Sequence, residues 1–380
     1  MNRSKVFFTD MHTKEYGEGL PLKLKTLIRA AGISDIDFEG KFVAIKMHFG
    51  ELGNVAHIRP QFAKAVVDIV KELGGIPFLT DCNTMYPGSR RHAIEHIECA
   101  WANGFSPMSV GCPIIIADGL KGTDEALVPV EGGEYVKVAK IGRAIMDADI
   151  FISLNHFKGH NFASLGGAIK NIGMGCGSRA GKKEQHTSGK ALIDESLCHG
   201  CGQCLKNCAN SGLVFDKDKK KMTVDYDHCI GCGNCLGACV FNAIGFEDND
   251  ANELLSRRIA EYAKAVVTGR PSFHINLLMD ISPSCDCHCE NDVPMLPNIG
   301  MLASFDPLAI DQASVDLCQQ QEPLPGSQLY KAVHSEHFED QGNHFNNVHP
   351  LSDWKSCFEQ AEKLGVGSRE YELINVFTAK

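Results

Sequence analysis

The sequence has no long apolar segment and no excess of positive charge. No apolar run reaches the roughly 18 residues that a membrane-spanning helix needs, and Ile114–Ala117 is typical of the short runs present. Lysine and arginine number 37 against 47 aspartates and glutamates, which gives a formal net charge of −10. This balance argues against a general nucleic-acid binder and against a polybasic membrane surface. We therefore expect neither nucleic acid nor a membrane as a partner.

Familiar catalytic and targeting signatures are also absent. The sequence contains no Walker A loop, no GxSxG elbow and no HExxH helix. The segment Met1–Val6 leads directly into a strand-like stretch, without the apolar core and cleavage site of a secretory signal. We expect a cytoplasmic protein. Its 380 residues, 44% hydrophobic and 22% charged, are typical of a globular chain of two or three domains.

Cysteine is the residue that the sequence has in unusual number, with seventeen in all. In a chain of this length without a signal peptide, clustered cysteines more often bind metal or carry out redox chemistry than form disulfides. Eight of them form two copies of the spacing C-x2-C-x2-C-x3-C. The copies are Cys198, Cys201, Cys204 and Cys208, then Cys229, Cys232, Cys235 and Cys239.

This double motif resembles the bacterial two-cluster ferredoxin domain. There, the first three cysteines of each copy hold one cluster and the fourth holds the other. The predicted ligand sets are Cys198, Cys201, Cys204 and Cys239 for one cluster, and Cys229, Cys232, Cys235 and Cys208 for the second. The usual proline after the fourth cysteine is replaced by Ala209 and Val240, which leaves the ligands unchanged. Zinc is the competing metal, but it favours paired C-x2-C units. We predict two [4Fe–4S] clusters that exchange electrons with a redox partner protein; the alternative is clusters that only staple the domain.

The chain divides into three regions. Residues 1–190 form the first part of an α/β body, residues 191–247 a cysteine-rich insert, and residues 248–380 the second part of the body. A buried-strand pattern at Phe42–Met47 and a helix beginning at Pro60 are typical of the alternation. This predicts an α/β fold, a largely parallel sheet with helices on both faces, plus a small α+β ferredoxin-like insert. The alternative is two separate α/β domains.

A third cysteine group, Cys285, Cys287 and Cys289, alternates along one segment. If that segment is extended, its period of two places all three sulfurs on one side. Three soft ligands can hold an iron–sulfur cluster, zinc or copper(I) together with a fourth partner. Cys176 is the candidate fourth ligand of this third site, with His186 and His288 as alternatives. The other interpretation is three free thiols packed in a loop.

Two strand ends share His-Phe followed by glycine, at Lys46–Gly50 and Asn155–Gly159. Ligands in open α/β sheets bind beyond the carboxyl ends of the strands, so the two loops are expected to face one cleft unless the resemblance is chance. The candidates for binding a small carboxylate or phosphate there are Lys46, His48, Arg59, Lys158 and Arg179. The acid/base candidates are His156, His160 and Lys170. The alternatives are a glycine-rich crossover with solvated cations, and a weak metal site formed by His48, Glu51 and His57.

Four segments together resemble the DUF362 family, whose members are of unknown function and often carry a ferredoxin insert. They are Lys46–Asn54, Asn155–Asn161, Gly166–His186 and Phe305–Asp311. The resemblance covers nearly the whole chain and implies an α/β body distantly similar to lactate racemase, but it implies no reaction. We predict an iron–sulfur oxidoreductase whose insert delivers electrons to a site in the body. The alternatives are a non-catalytic electron carrier, and a metal- or cluster-assisted isomerase or lyase.

Overall fold

An eight-stranded sheet forms the centre of the protein in the computed structural model, which describes residues 3–13, 19–86, 88–186, 189–231, 233–241, 243–246 and 250–377. The strands are β1 (Ser4–Asp10), β2 (Phe42–Lys46), β3 (Ile76–Asp81), β4 (Ile114–Ile116), β5 (Glu125–Pro129), β6 (Val138–Gly142), β7 (Ile150–His156), β8 (Lys158–His160), β9 (Ser164–Gly166), β10 (Ala191–Ile193), β11 (Leu213–Asp216), β12 (Lys221–Val224), β13 (Ile244–Phe246), β14 (Ser272–Leu278), β15 (Gly300–Ser304) and β16 (Tyr371–Phe377).

Helices connect these strands and cover the sheet. They are α1 (Leu20–Ala30), α2 (Pro60–Glu72), α3 (Ala93–Ala102), α4 (Pro107–Val110), α5 (Arg143–Asp147), α6 (Ala168–Cys176), α7 (Arg179–His186), α8 (Gln203–Lys206), α9 (Asn234–Gly237), α10 (Ala251–Val267), α11 (Pro307–Gln319), α12 (Gln328–Val333), α13 (His344–Val348) and α14 (Lys355–Lys363).

The central sheet has the strand order β16-β1-β15-β14-β7-β2-β3-β4. Its pairs are parallel except where β15 runs antiparallel to both β1 and β14. The prediction of an α/β fold with a largely parallel sheet is confirmed. Strands from before and after the insert share this one sheet, so the alternative of two separate α/β domains is wrong.

The sheet buries apolar side chains on both faces because successive residues of a strand point to opposite sides. In β2, Val43 and Ile45 belong to the core beneath α1 and α2, while Ala44 belongs to the core beneath α6, α10 and α11. The same alternation separates Ile152 from Phe151 in β7. Helices therefore lie on both faces, as the alternating pattern predicts.

The cysteine-rich region folds around a small core of its own. Its first and last strands, β10 and β13, pair antiparallel, and β11 and β12 form a hairpin between them. The core contains Cys198, Cys204, Leu213 and Met222 among others, and it lies within the predicted insert, residues 191–247.

The buried carboxyl group of Asp311 fixes the beginning of α6. It accepts hydrogen bonds from the backbone N–H groups of Ala168, at 2.7 Å, and Ile169, at 2.9 Å. A side chain at Gly167 would collide with this carboxyl group, so glycine is needed for the close approach. Asp311, from α11, thereby determines where the side chains of α6 lie.

Glu261 in α10 is fully buried and ties a loop to the helix. Its two carboxyl oxygens accept hydrogen bonds from the backbone N–H groups of Glu134, at 2.7 Å, and Val136, at 2.6 Å. The side-chain amide of Gln360 donates a further bond at 2.8 Å. All the hydrogen-bond partners seen around the Glu261 carboxyl group are donors. This position therefore needs a side chain with two acceptor oxygens.

We predict that Glu261→Gln lowers the free energy of unfolding by about 2–3 kcal/mol, because the new amide group faces backbone donors. Urea unfolding followed by circular dichroism measures this loss. The control is Glu253→Gln in the same helix, whose exposed ion pair with Arg257 is worth at most about 1 kcal/mol. Equal losses for the two variants would contradict the interpretation.

Candidate functional site

A cavity of about 70 Å³ lies beyond the carboxyl ends of β2, β3 and β7. This is the edge at which open α/β sheets bind ligands. Its polar lining includes Lys46 and His48 from the first His-Phe loop, His156 and Lys158 from the second, and Cys285. The expectation that the two loops face one cleft is confirmed by this geometry.

The cavity contains a fully buried ion pair between neighbouring strands. Lys46 Nζ lies 3.0 Å from Asp81 Oδ1 and donates a 2.7 Å hydrogen bond to Asn171 Oδ1. Burial alone would raise the pKa of Asp81, but the charge of Lys46 and the proximity of His96, whose Nε2 lies 3.6 Å away, hold it well below its usual value. The Asp81 carboxylate therefore stays ionised inside the protein.

Arg90 occupies the other side of Asp81 and is also buried. Its Nε donates to Glu51 Oε2 at 3.1 Å, and its Nη1 lies 2.9 Å from His48 Nε2. Burial and the charge of Arg90 lower the pKa of His48 well below its usual value, so His48 is neutral. His57 lies instead against the Asn54 carbonyl at 2.8 Å. Among the described residues, the ligand atoms of His48, Glu51 and His57 do not come close enough to one another to hold a metal, which contradicts the weak alternative of a metal there.

His156 and Asp286 form a second buried ion pair. His156 Nδ1 lies 2.9 and 3.0 Å from the two Asp286 oxygens, and its Nε2 lies 2.8 Å from the Met279 carbonyl. Both ring nitrogens therefore face oxygen atoms of neighbouring groups. Burial would raise the pKa of Asp286, but the charges of His156 and Lys158 hold it below its usual value. Both ring nitrogens of His156 are thus occupied, and neither is free to act as a base in the cavity.

Two thiols and an imidazole meet at the edge of the cavity. The ligand atoms of His160, Cys285 and Cys287 all lie within 4.8 Å of one another. A hydrogen bond from Cys287, together with the charges of Lys158 and Lys170, outweighs burial and holds the pKa of Cys285 well below its usual value. The same contact with Cys285, followed by burial, raises the pKa of Cys287. Cys285 is therefore the thiolate of the pair, and Lys170 Nζ donates to its sulfur at 3.4 Å.

His160 is neutral and its proton has a defined position. Burial and the charge of Lys170 lower the pKa of His160 to about 3. Its Nδ1 accepts hydrogen bonds from the backbone N–H groups of Phe162, at 3.2 Å, and Ala163, at 3.1 Å. The proton of the neutral ring is therefore on Nε2.

The predicted third cysteine site needs correction. Cys289 and Cys176 do not belong to the group of His160, Cys285 and Cys287. A turn closed by the N–H of His288 and the Cys285 carbonyl, at 2.9 Å, ends the extended run. Cys289 is consequently exposed, with its sulfur 2.8 Å from Glu290 Oε2. Cys176 is buried in α6, where its carbonyl accepts from the Cys82 thiol.

The two alternative fourth ligands lie outside the group as well. His288 Nδ1 lies 3.4 Å from Glu290 Oε1 near the surface. His186 ends α7, and burial followed by the charge of Lys170 lowers its pKa to about 4. His160, predicted only as an acid/base candidate, is the imidazole that meets the two thiols.

Two of the residues predicted to bind an anion lie outside the main cavity. Arg59 is half-exposed, pairs with Asp280 at 2.8 Å and is not among the residues that line the main cavity. Arg179 begins α7 and lines a different cavity, beside Lys121. Lys46, His48 and Lys158 do line the main cavity. Arg90 also lines the cavity but was not predicted from the sequence, because it does not belong to any recognisable motif.

The insert contains two further cavities lined by cysteines. One is lined by Cys198, Cys201, Cys204 and Cys239. The other is lined by Cys208, Cys229 and Cys235, and the predicted ligand Cys232 lies outside the described residues. The fourth cysteine of each copy therefore faces the cavity of the other copy, which is the crossed arrangement predicted from the spacing.

Backbone N–H groups point at several of these sulfurs. Gly212 donates to Cys208 Sγ at 3.1 Å, and Ala243 donates to Cys239 Sγ at 3.4 Å. Gly200 donates to Cys198 Sγ at 3.4 Å. Such bonds stabilise thiolates and influence the potential of iron–sulfur clusters. The chemistry of these donor sets thus fits soft metal centres.

An aromatic side chain links the insert to the main cavity. A Cβ at Gly233, which lines the second cysteine cavity, would lie 2.8 Å from Cζ of Phe162, so the ring packs directly on that cavity wall. The centroids of the Phe162 and His160 rings are 6.1 Å apart. Gly233, Phe162 and His160 therefore lie in sequence between the second cysteine cavity and the Cys285 sulfur.

Fold and site together define an α/β protein with a cysteine-rich insert and a His/Cys group able to hold a metal ion. The family described as "Domain of unknown function (DUF362)" matches residues 43–316, and the chain belongs to this family. Among the described residues, no helix combines the length and apolar character needed to cross a bilayer.

Individual similarities are weaker. A thylakoid-associated protein of Synechocystis sp. is 27% identical over 177 residues, covering 44% of this chain and 49% of that protein. The lactate racemase apoprotein of Thermoanaerobacterium thermosaccharolyticum superposes with a TM-score of 0.40 at 11% identity, covering 98% of this chain and 84% of that one. A protein of Thermotoga maritima gives a TM-score of 0.38 at 13% identity, covering 79% and 58%.

We predict that Lys46→Met lowers the free energy of unfolding by about 3–5 kcal/mol, because it removes the nearest counter-charge of the buried Asp81 carboxylate. The stabilisation from the ionised Asp81 is complete above its unfolded-state pKa of about 4 and is lost as the pH falls from there toward its lowered pKa in the fold. The deficit is therefore full at neutral pH and shrinks below about pH 4, and urea unfolding at pH 7 and at about pH 3 measures it.

The matched control is Lys64→Met, which removes an exposed ion pair with Asp68 worth about 0.3–0.5 kcal/mol. A Lys46→Met deficit as small as that of the control, or one that grows on acidification, would contradict the role of the pair.

Proposed function

We propose that this protein is an iron–sulfur oxidoreductase. Two [4Fe–4S] clusters in the insert pass electrons to the cavity in the α/β body, where a small anionic ligand is bound. The observation that carries the proposal is the contact series from the second cysteine cavity through Phe162 and His160 to Cys285.

The cluster assignment is supported by the division of the cysteines between two cavities. Each cavity combines cysteines from both copies of the motif, which is the arrangement that two-cluster ferredoxins use. Cys232 completes the second set by its spacing in the sequence. The clusters would accept and donate single electrons, and the protein supplies the backbone N–H groups that stabilise the thiolates.

The anionic ligand is supported by the charge of the cavity lining. Five cationic side chains line it against two aspartates and the Cys285 thiolate; the cations are Lys46, Lys158, Lys170, Lys182 and Arg90, and the aspartates are Asp81 and Asp286. The hydrogen bonds seen for Lys182 go to two backbone carbonyls, those of Gly175 and Gly177. A small carboxylate or phosphate would complete this balance.

A pure electron carrier is the weaker alternative. Buried ionisable groups are costly unless they serve a site, and a carrier has no use for the lysines around the cavity. We therefore favour a reaction in the α/β body, fed from the insert by a redox partner protein.

A metal-assisted isomerase or lyase is the second candidate, favoured by the close approach of His160, Cys285 and Cys287. One observation opposes it. His160 Nδ1 already accepts two backbone hydrogen bonds, so a metal on Nε2 would have to displace the only ring proton. An activity that persists when the clusters cannot be reduced would favour this candidate.

Anaerobic reconstitution tests the cluster assignment. We expect about eight iron atoms and eight acid-labile sulfides per chain, and two interacting reduced clusters in the EPR spectrum after dithionite. Cys208→Ala is expected to disrupt the cluster beside Phe162, and Cys239→Ala the other. Cys289→Ser is the control and keeps both. A colourless protein, or one that holds only zinc, would contradict the proposal.

A thermal-shift assay tests the anion site. Acetate and inorganic phosphate are the probes, and at least one is expected to raise the melting temperature of the reconstituted protein because it neutralises buried cations. Lys170→Met should abolish this rise. Arg59→Met, outside the cavity, should keep it. A rise that survives Lys170→Met, or no rise with either anion, would contradict the site.

A further inference from the structure

We infer that Cys285 and Cys287 interconvert between a dithiol and a disulfide, and that this pair accepts two electrons from the insert. The inference deepens the proposed function and rests on it for the source of the electrons. It assigns the chemical group at which single-electron transfer becomes two-electron chemistry.

The two cysteines are close enough for a disulfide to form after a small movement. Their sulfurs lie within 4.8 Å of each other, and both line the main cavity. The turn closed by His288 N–H and the Cys285 carbonyl folds the chain around the pair. Cys289, two residues further on, is exposed and apart from it. The pair is therefore a local arrangement and not a property of every cysteine in this segment.

The surroundings of Cys285 favour a thiolate as the product of reduction. Lys170 Nζ donates to its sulfur at 3.4 Å, and α6 holds Lys170 there because Asp311 fixes the first turn of that helix. His160 carries its proton on Nε2, because its Nδ1 accepts from the backbone. It can thus donate toward the sulfurs beside it. Cationic and neutral donors beside a sulfur stabilise a thiolate leaving group.

The location of the pair matches its role. His160 contacts Phe162, and Phe162 packs on Gly233 in the wall of the second cysteine cavity. A disulfide needs two electrons for reduction, and two [4Fe–4S] clusters each supply one. The number of carriers in the insert therefore equals the number of electrons that the pair takes.

Reduction of the disulfide uses two electrons and one proton. The bond between the two sulfurs breaks, and two electrons enter, one from each reduced cluster. One proton binds to Cys287, while Cys285 remains a thiolate beside Lys170. Both clusters are oxidised by one electron and are reduced again by a one-electron donor protein, for which dithionite substitutes in the experiment.

The test uses the full-length reconstituted protein. It is oxidised anaerobically with diamide, then reduced with dithionite for varied times, denatured and alkylated with iodoacetamide. Mass spectrometry of the peptide that contains Cys285 and Cys287 measures the fraction in the disulfide. We expect full protection after oxidation and full alkylation after reduction. Cys208→Ala, which disrupts the cluster beside Phe162, is expected to slow reduction at least tenfold.

Two controls separate reduction through the clusters from direct chemical reduction of the disulfide. Cys289→Ser should reduce at the wild-type rate, and a phosphine reductant, which needs no clusters, should reduce wild type and Cys208→Ala equally fast. If both clusters are present by iron content and EPR but no Cys285–Cys287 disulfide forms, this inference fails while the proposed function stands. A disulfide that dithionite reduces equally fast in Cys208→Ala also overturns it. Absence of the clusters themselves overturns the proposed function.

Discussion

Compensation of buried charge is the constraint on which the site depends. Asp81 ends β3 inside the protein, and Lys46, His96 and Arg90 surround it. Charged groups removed from water must be paired or hydrogen-bonded. These partners come from distant parts of the sequence, so satisfying Asp81 determines how β2, β3 and the loop of Arg90 meet. The cavity is the space that remains between these fixed charges.

A series of buried hydrogen bonds connects Lys46 to the far end of the site. Lys46 bonds to Asn171, Asn171 to Asn155, and Asn155 to Asn276, which reaches Asp311. Asp311 fixes α6, and α6 supplies the lysine beside the Cys285 sulfur. Networks of this kind hold side chains in one arrangement when every member is satisfied. The positions of the reactive groups therefore follow from the packing of the sheet and its helices.

Local patterns in the sequence predicted the elements well, and they predicted the site in part. Apolar runs and Pro60 indicated β2 and α2, and the two His-Phe loops lie on one cavity because parallel strands end at the same edge. The two cysteine-lined cavities each combine described cysteines from both copies of the motif, as the resemblance to two-cluster ferredoxins implies. Arg90 was missed because its partners, such as Glu51, are about forty residues away. Cys289 was wrongly grouped with Cys285 and Cys287, because the turn closed by the His288 N–H and the Cys285 carbonyl ends the extended segment before Cys289.

The central claim is that the insert holds two iron–sulfur clusters, one of which faces Phe162 and the cavity. An anomalous-scattering map at the iron edge, from a crystal grown without oxygen, tests it most directly. The account predicts about eight iron positions in two groups of four, one group within the cavity of Cys208, Cys229 and Cys235. A map with no iron in the insert, or with single zinc ions between cysteine pairs, would contradict it.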